Sequence, residues 1–224
     1  MKKSIGLLVA VGALALLALA FIAPALFVEP KPPTDLPWQV QVTPQGGVQV
    51  FGVTVGESTL GDVERRFGTS EVTLFRSPQG TTALEAFFES VNLSGLDAKV
   101  VVGLRIPPGE LNAMYERGAR AANLGSGTQK VTLASEDQAR VKGAVVETLT
   151  YMPFINLKQE LVARRFGEPA EKWKEPESGV VHWLYPKFGL GVAFSESAKE
   201  VLQYVPPAEF ARLRDPLLKG ERLP

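Results

Sequence analysis

Apolar positions fall into two patterns along the chain, one unbroken run and then many short alternating stretches. Residues 4–28, SIGLLVAVGALALLALAFIAPALFV, carry no charge and follow Met1-Lys2-Lys3. An apolar run of about 18 residues or more is long enough to cross the hydrocarbon core of a bilayer, so this run predicts a spanning helix. Lys2 and Lys3 belong on the cytoplasmic side, which sends everything after Val28 outward. A cleaved secretory signal is the alternative, with Ala18-Leu19-Ala20 or Ala23-Pro24-Ala25 as its small-residue exit. The run continues past the first of these through Phe21-Ile22 and Leu26-Phe27-Val28, beyond the roughly 7–15 apolar residues a signal core needs. Length favours the anchor. The expected location is the inner (cytoplasmic) membrane, single-pass, with the C-terminal part on the periplasmic side; cleavage would make it an exported soluble protein.

Residues 29–37, EPKPPTDLP, hold four prolines in nine positions and predict an extended, semi-rigid spacer. Beyond them the apolar period changes to two. Gln39–Val55 reads as two strands, WQVQV and VQVFGVTV, joined at Thr43-Pro44-Gln45-Gly46-Gly47. Ser58 or Thr59 caps a short helix whose Val63 and Phe67 share a face and which stops at Gly68. Strands at 71–76, 81–91 and 99–106 follow as a meander. Pro107-Pro108 opens a helix to about Ala122, then come a strand at 128–134, a helix capped by Ser135 and a strand at 144–152. In the last third, Asn156 caps a helix over 157–166 that stops at Gly167. Strands at 171–174, 180–185, 190–194 and 200–205 precede a final helix over 208–213 and a tail expected to fray. The organisation this predicts is a segment 1–28, a linker 29–37, and two α+β units at 38–152 and 153–224, each a short helix packed on an antiparallel sheet.

The two units share a motif. At an offset of 99, Val63-Glu64-Arg65-Arg66-Phe67-Gly68 matches Val162-Ala163-Arg164-Arg165-Phe166-Gly167 at five of six positions. Helix, Phe-Gly, then strands, ending in His182-Trp183-Leu184-Tyr185-Pro186 and Gly189-Leu190-Gly191-Val192-Ala193-Phe194, resembles the SmpA/OmlA small envelope lipoproteins. It is also similar to the tandem units of β-lactamase-inhibitory-protein-like domains, over roughly residues 52–90 and 153–205. The chain departs from the lipoproteins in lacking an acylated cysteine and in having two units. The resemblance implies a non-enzymatic, protein-binding module of a bacterial envelope.

Composition narrows the chemistry. Lys plus Arg and Asp plus Glu each number 24, a balance without the basic footprint of a nucleic-acid binder. There is no cysteine, so an exported chain would rely on an apolar core rather than disulfides. His182 is the only histidine, with no second histidine or cysteine to complete a metal or catalytic set, and reads as structural. Glu171, Glu175 and Glu177 alternate with Lys172 and Lys174 as a solvated strand and turn. No nucleophile elbow and no phosphate loop with a following helix is present. No cofactor is expected, and no catalytic or metal residue is singled out.

The candidate contact residues are the repeated Arg65, Arg66, Arg164 and Arg165, together with Trp173, Trp183 and Tyr185 should these aromatics form an exposed cluster. For the arginines the competing reading is structural, one of each pair lying over the fold while the other is solvated. The expected function is a membrane-anchored envelope scaffold or assembly module that binds another protein, with the membrane contacted through residues 4–28. An inhibitor-like or small-ligand-sensing module is the first alternative, and an envelope hydrolase using dispersed carboxylates the second.

Overall fold

The computed structural model describes residues 34–124 and 127–224, and Thr34–Pro224 forms one compact unit. The apolar run 4–28, and with it the predicted span, lies outside the described residues. Among the described residues no helix is long and apolar enough to cross a membrane, and the expected single-pass, inner-membrane placement is corrected accordingly.

The expected α+β class is corrected as well, because strands dominate and join into one sheet instead of two separate units. Among the described residues fourteen strands run β1 (Gln41–Val42), β2 (Val48–Val50), β3 (Val53–Val55), β4 (Glu71–Arg76), β5 (Thr82–Leu93), β6 (Leu96–Arg105), β7 (Arg120–Asn123), β8 (Gln129–Thr132), β9 (Val145–Pro153), β10 (Glu171–Lys174), β11 (Val181–Tyr185), β12 (Leu190–Phe194), β13 (Val201–Tyr204) and β14 (Glu221–Leu223). The helices are short: α1 (Leu60–Phe67), α2 (Pro108–Arg117), α3 (Ser135–Arg140), α4 (Gln159–Phe166) and α5 (Ala211–Arg214). β1-β2-β3 make a small sheet. The other eleven strands form one sheet in the order β14-β10-β11-β12-β13-β9-β6-β5-β4-β8-β7. Its seam is the antiparallel pairing of β9 with β13, where Tyr151 faces Leu202 and Leu149 faces Tyr204. A seam of backbone hydrogen bonds lets both halves share one core, so neither needs a sheet of its own.

Strand alternation decides what covers each face. Leu84, Ala86 and Phe88 of β5, Val100 and Val102 of β6, Leu149 and Tyr151 of β9, and Leu202 and Tyr204 of β13 point to one side. They meet Leu60 and Val63 of α1, Leu111 and Met114 of α2, Val162 and Phe166 of α4, and the small sheet in a single apolar core. The chain's end covers part of the opposite face. There Trp173, Leu184, Val205, Phe210 and Leu217 form a second, smaller cluster.

Local departures have local causes. The stretch VQVFGVTV is not one strand, because Phe51 and Gly52 adopt φ of 55° and 75° and turn it into the β2–β3 hairpin. Positive φ at both turn residues matches the twist of the flanking strands. A phenylalanine tolerates that conformation here because it is buried, with its ring 4.7 Å from Tyr151 and 6.0 Å from Tyr204. Helix α2 ends at Arg117 instead of near Ala122, and the residues beyond it enter strand β7. Ser135 is the first helical residue rather than a cap, and Lys158 rather than Asn156 precedes α4. The tail does not fray: β14 pairs with β10, placing Leu223 opposite Lys172.

Candidate functional site

The side of the large sheet away from α1, α2 and α4 carries an open groove of 390 Å³. Its floor crosses the strands. Glu85 of β5 lies opposite Gly103 of β6, Gly103 opposite Thr148 of β9, and Thr150 opposite Gln203 of β13. One wall is the C-terminal segment, through Arg212, Leu213, Pro216 and Leu217; His182 and Glu175 sit at the far end. Gly103 is required here, since a Cβ on it would stand 2.4 Å from Thr148 Oγ1. Its own N–H donates to that oxygen at 3.1 Å, beside the irregularity in the β6–β9 register. A glycine at such a site is expected where the backbone is approached closely.

Charges along the groove are mostly matched. Arg212 donates to Glu147 at 2.6 Å and to Glu209 at 2.9 Å, and Arg105 pairs with the same two carboxylates. The Arg212 hydrogen bond holds the Glu147 carboxyl below its usual range and in turn raises the Arg212 guanidinium. This two-against-two cluster ties the C-terminal segment to β6 and β9. At the far end Glu175 accepts from Ser178 at 2.5 Å and meets His182 Nε2 at 2.8 Å, and these contacts, the serine's first, hold its carboxyl low. Glu85 differs. It is half-buried, burial pushes its carboxyl above the usual range, and no side chain among the described residues pairs with it.

The arrangement bears on the carboxylate-hydrolase reading. Glu85 and the His182–Glu175 pair are held by strands five steps apart in the sheet order. The other carboxylates at or beside the groove, Glu147, Glu209 and Glu175, are each engaged by an arginine or by His182. Among the described residues no cluster of three or more His, Asp or Glu side chains forms a metal set.

The residues singled out from sequence lie elsewhere. Arg65 is exposed and pairs with Asp62 of its own helix, and Arg164 is exposed with no partner among the described residues. Their neighbours, exposed as well, lie against the N-terminal segment. Arg66 pairs with Asp35 and donates from Nε to the Phe51 carbonyl at 3.3 Å, while Arg165 stacks 4.4 Å over Trp38. So one arginine of each copy clamps residues 34–51 and the other faces solvent. The aromatics do not form one exposed cluster. Trp173 is buried under the C-terminal segment and donates from Nε1 to Glu171 at 2.8 Å. Trp183 and Tyr185 belong to the main core on the opposite face, the former 5.0 Å from Phe194, the latter 5.5 Å from Phe166. Tyr185 donates its hydroxyl to the Gly167 carbonyl at 3.1 Å, and burial, aided by Glu168, raises its phenol to about 12.

Glu85, Thr148, Thr150, Gln203 and Arg212 drew no notice in the sequence. The one available signal is Glu85 itself, a lone charge among the apolar residues of the stretch ALEAFF. Comparison with protein-family models, with curated proteins and with solved structures finds no match to this chain.

Proposed function

We propose that residues 34–224 form a non-enzymatic protein-binding module that meets its partner on the uncovered part of the sheet face opposite α1, α2 and α4. The observation that carries this reading is the row Phe87–Val101–Thr150, continuous across β5, β6 and β9, with Met152 beside it. All four side chains are only partly buried, although they stand on central strands of the sheet. Partly apolar surface on central strands is what a protein contact uses, and its wet, polar margin is supplied by the adjoining groove. The groove's volume of 390 Å³ also fits a small ligand, which is the second reading.

The test is site-specific photo-crosslinking in the producing cells, with the full-length chain carrying a benzophenone side chain at position 87, 101 or 164. The expected result is one adduct of a single protein mass from positions 87 and 101 and none from 164. Adducts from position 164 alone, or none from the sheet positions, would overturn the reading. A chain recovered without a protein adduct, but protected from heat by a small metabolite, would move the assignment to the ligand site.

A further inference from the structure

The groove also says something about the partner. We propose that it receives a cationic side chain, arginine or lysine, from the protein bound on this face, with the Glu85 carboxylate as counter-charge. The inference rests on the protein-binding reading above and adds the chemistry of the contact.

Three observations converge on Glu85. First, it is the odd charge of the groove. Arg105 and Arg212 are balanced by Glu147 and Glu209, Lys99 reaches Glu89 at 2.9 Å, and Glu175 is engaged by His182 and Ser178. Among the described residues nothing reaches Glu85, so the chain neutralises every neighbour and leaves this one open. Second, its immediate neighbours are small. Its cross-strand partners are Gly103, over which the Thr148 side chain lies, and Thr73, so no long side chain stands directly opposite it on either strand. Third, the site is costly when empty. A half-buried carboxylate has lost water without gaining a partner, and a charge-assisted hydrogen bond repays that loss best where surrounding dielectric is low. Burial alone already pushes this carboxyl upward.

The occupant follows from the donor set. One carboxylate flanked by threonine and glycine is far short of the six to eight oxygens a calcium ion takes. No lysine or arginine of the described chain reaches Glu85. A guanidinium or ammonium on a flexible stem is suited to enter a narrow groove and leave its backbone on the partly apolar row outside.

The experiment uses fluorescence anisotropy with the full-length chain and two labelled probes. One is a capped seven-residue valine/threonine peptide with a single central arginine; the other carries citrulline, the same shape without the charge. The arginine probe is expected to bind about tenfold more tightly, the scale of one charge-assisted hydrogen bond. Glu85→Gln keeps the side-chain shape and is expected to erase that preference while leaving the citrulline probe unchanged. Equal binding of the two probes, a preference that survives E85Q, or no binding of either would overturn the proposal. The crosslinking experiment separates the two claims. A Val101 adduct formed at full yield in E85Q would leave the protein-binding reading standing and sink the cation; an E85Q yield reduced about tenfold supports both.

Discussion

The two copies of the helix–glycine motif leave their helices in the same way and enter them differently. α1 and α4 have matching bounds at the offset of 99, and their closing glycines, Gly68 and Gly167, share φ of 94° and 82° with ψ of −167° and −170°. In both, the glycine N–H donates back to the carbonyl four residues earlier, on Glu64 and on Ala163. At the entrance α1 has a complete capping box: the Asp62 N–H donates to Thr59 Oγ1, and the Thr59 N–H donates to Asp62 Oδ2 at 2.8 Å. α4 begins after Lys158 with no side-chain cap, and what holds its approach is Glu200, which accepts the Leu157 N–H at 2.9 Å from across the fold. Leu60, fully buried, stands where the second copy has the exposed Gln159. The exit is thus written locally, while the entrance of α4 depends on distant residues.

The largest test of that asymmetry is at the first helical position. Leu60→Ala should cost about 3 kcal/mol in urea unfolding, the ordinary price of an emptied leucine site, while Gln159→Ala should stay within about 0.5 kcal/mol. Comparable losses at both sites would show that α4 has an anchor equivalent to Leu60. The exits should instead behave alike. Their backbone lies in a region open almost only to glycine, so Gly68→Ala and Gly167→Ala should each cost about 2 kcal/mol. No atom lies within 4 Å of a Cβ built at either glycine, so the cost is conformational alone. A D-alanine introduced by ligation at either position should therefore be tolerated, and a loss as large as that of L-alanine would reveal a packing role. Smaller again are the caps. Thr59→Ala and Glu200→Ala should each lose about 1 kcal/mol, the first by removing a local cap and the second a long-range one. Amide exchange would rise in α1 for the first and α4 for the second.

How far the fold could be read in advance follows the same division between local and distant. Strands β4, β10 and β12 were legible to the residue because alternation and turn glycines are local signals. A cap at Ser58 or Thr59 and the stops at Gly68 and Gly167 were legible for the same reason, although the reciprocal bond from Asp62 was not. Phe51-Gly52 was missed because an apolar run conceals a turn whose strain is relieved only by Tyr151 and Tyr204, a hundred or more residues away. Strand β14 was missed because Glu221-Arg222-Leu223 has no pattern of its own and becomes a strand by finding the free edge of β10. The joining of both halves into one sheet depends on the β9–β13 register, and the groove floor on that register together with β5–β6 and β6–β9. Glu85 could be seen as a charge in an apolar strand, but the absence of a partner is a property of the assembled face. The aromatics form no exposed cluster for a simpler reason: Trp173 and Trp183 stand on neighbouring strands one residue out of register, Trp173 facing His182, which puts them on opposite faces.

Acid sharpens the comparison through two carboxyls of the first copy. Hydrogen bonds from the Thr59 backbone and hydroxyl, with Arg65 nearby, hold the Asp62 carboxyl below its ordinary value of 3.8. A carboxyl depressed in the folded state binds its proton less readily there than in the unfolded chain. Its stabilising effect is therefore complete above about pH 4 and is lost as pH falls through the folded value. Glu64 moves the same way: burial works against it, but hydrogen bonds from Lys142 and Ser70 prevail and hold it low. Both belong to α1, so acid should weaken the first copy before the second. Hydrogen exchange at successive pH values below 4 is expected to show the amides of 60–67 losing protection ahead of those of 159–166. Asp62→Asn should flatten much of that difference, leaving the part due to Glu64. Equal loss in both helices would mean that the capping box follows the packing of α1 and does not hold it, making the two entrances equivalent in spite of their chemistry.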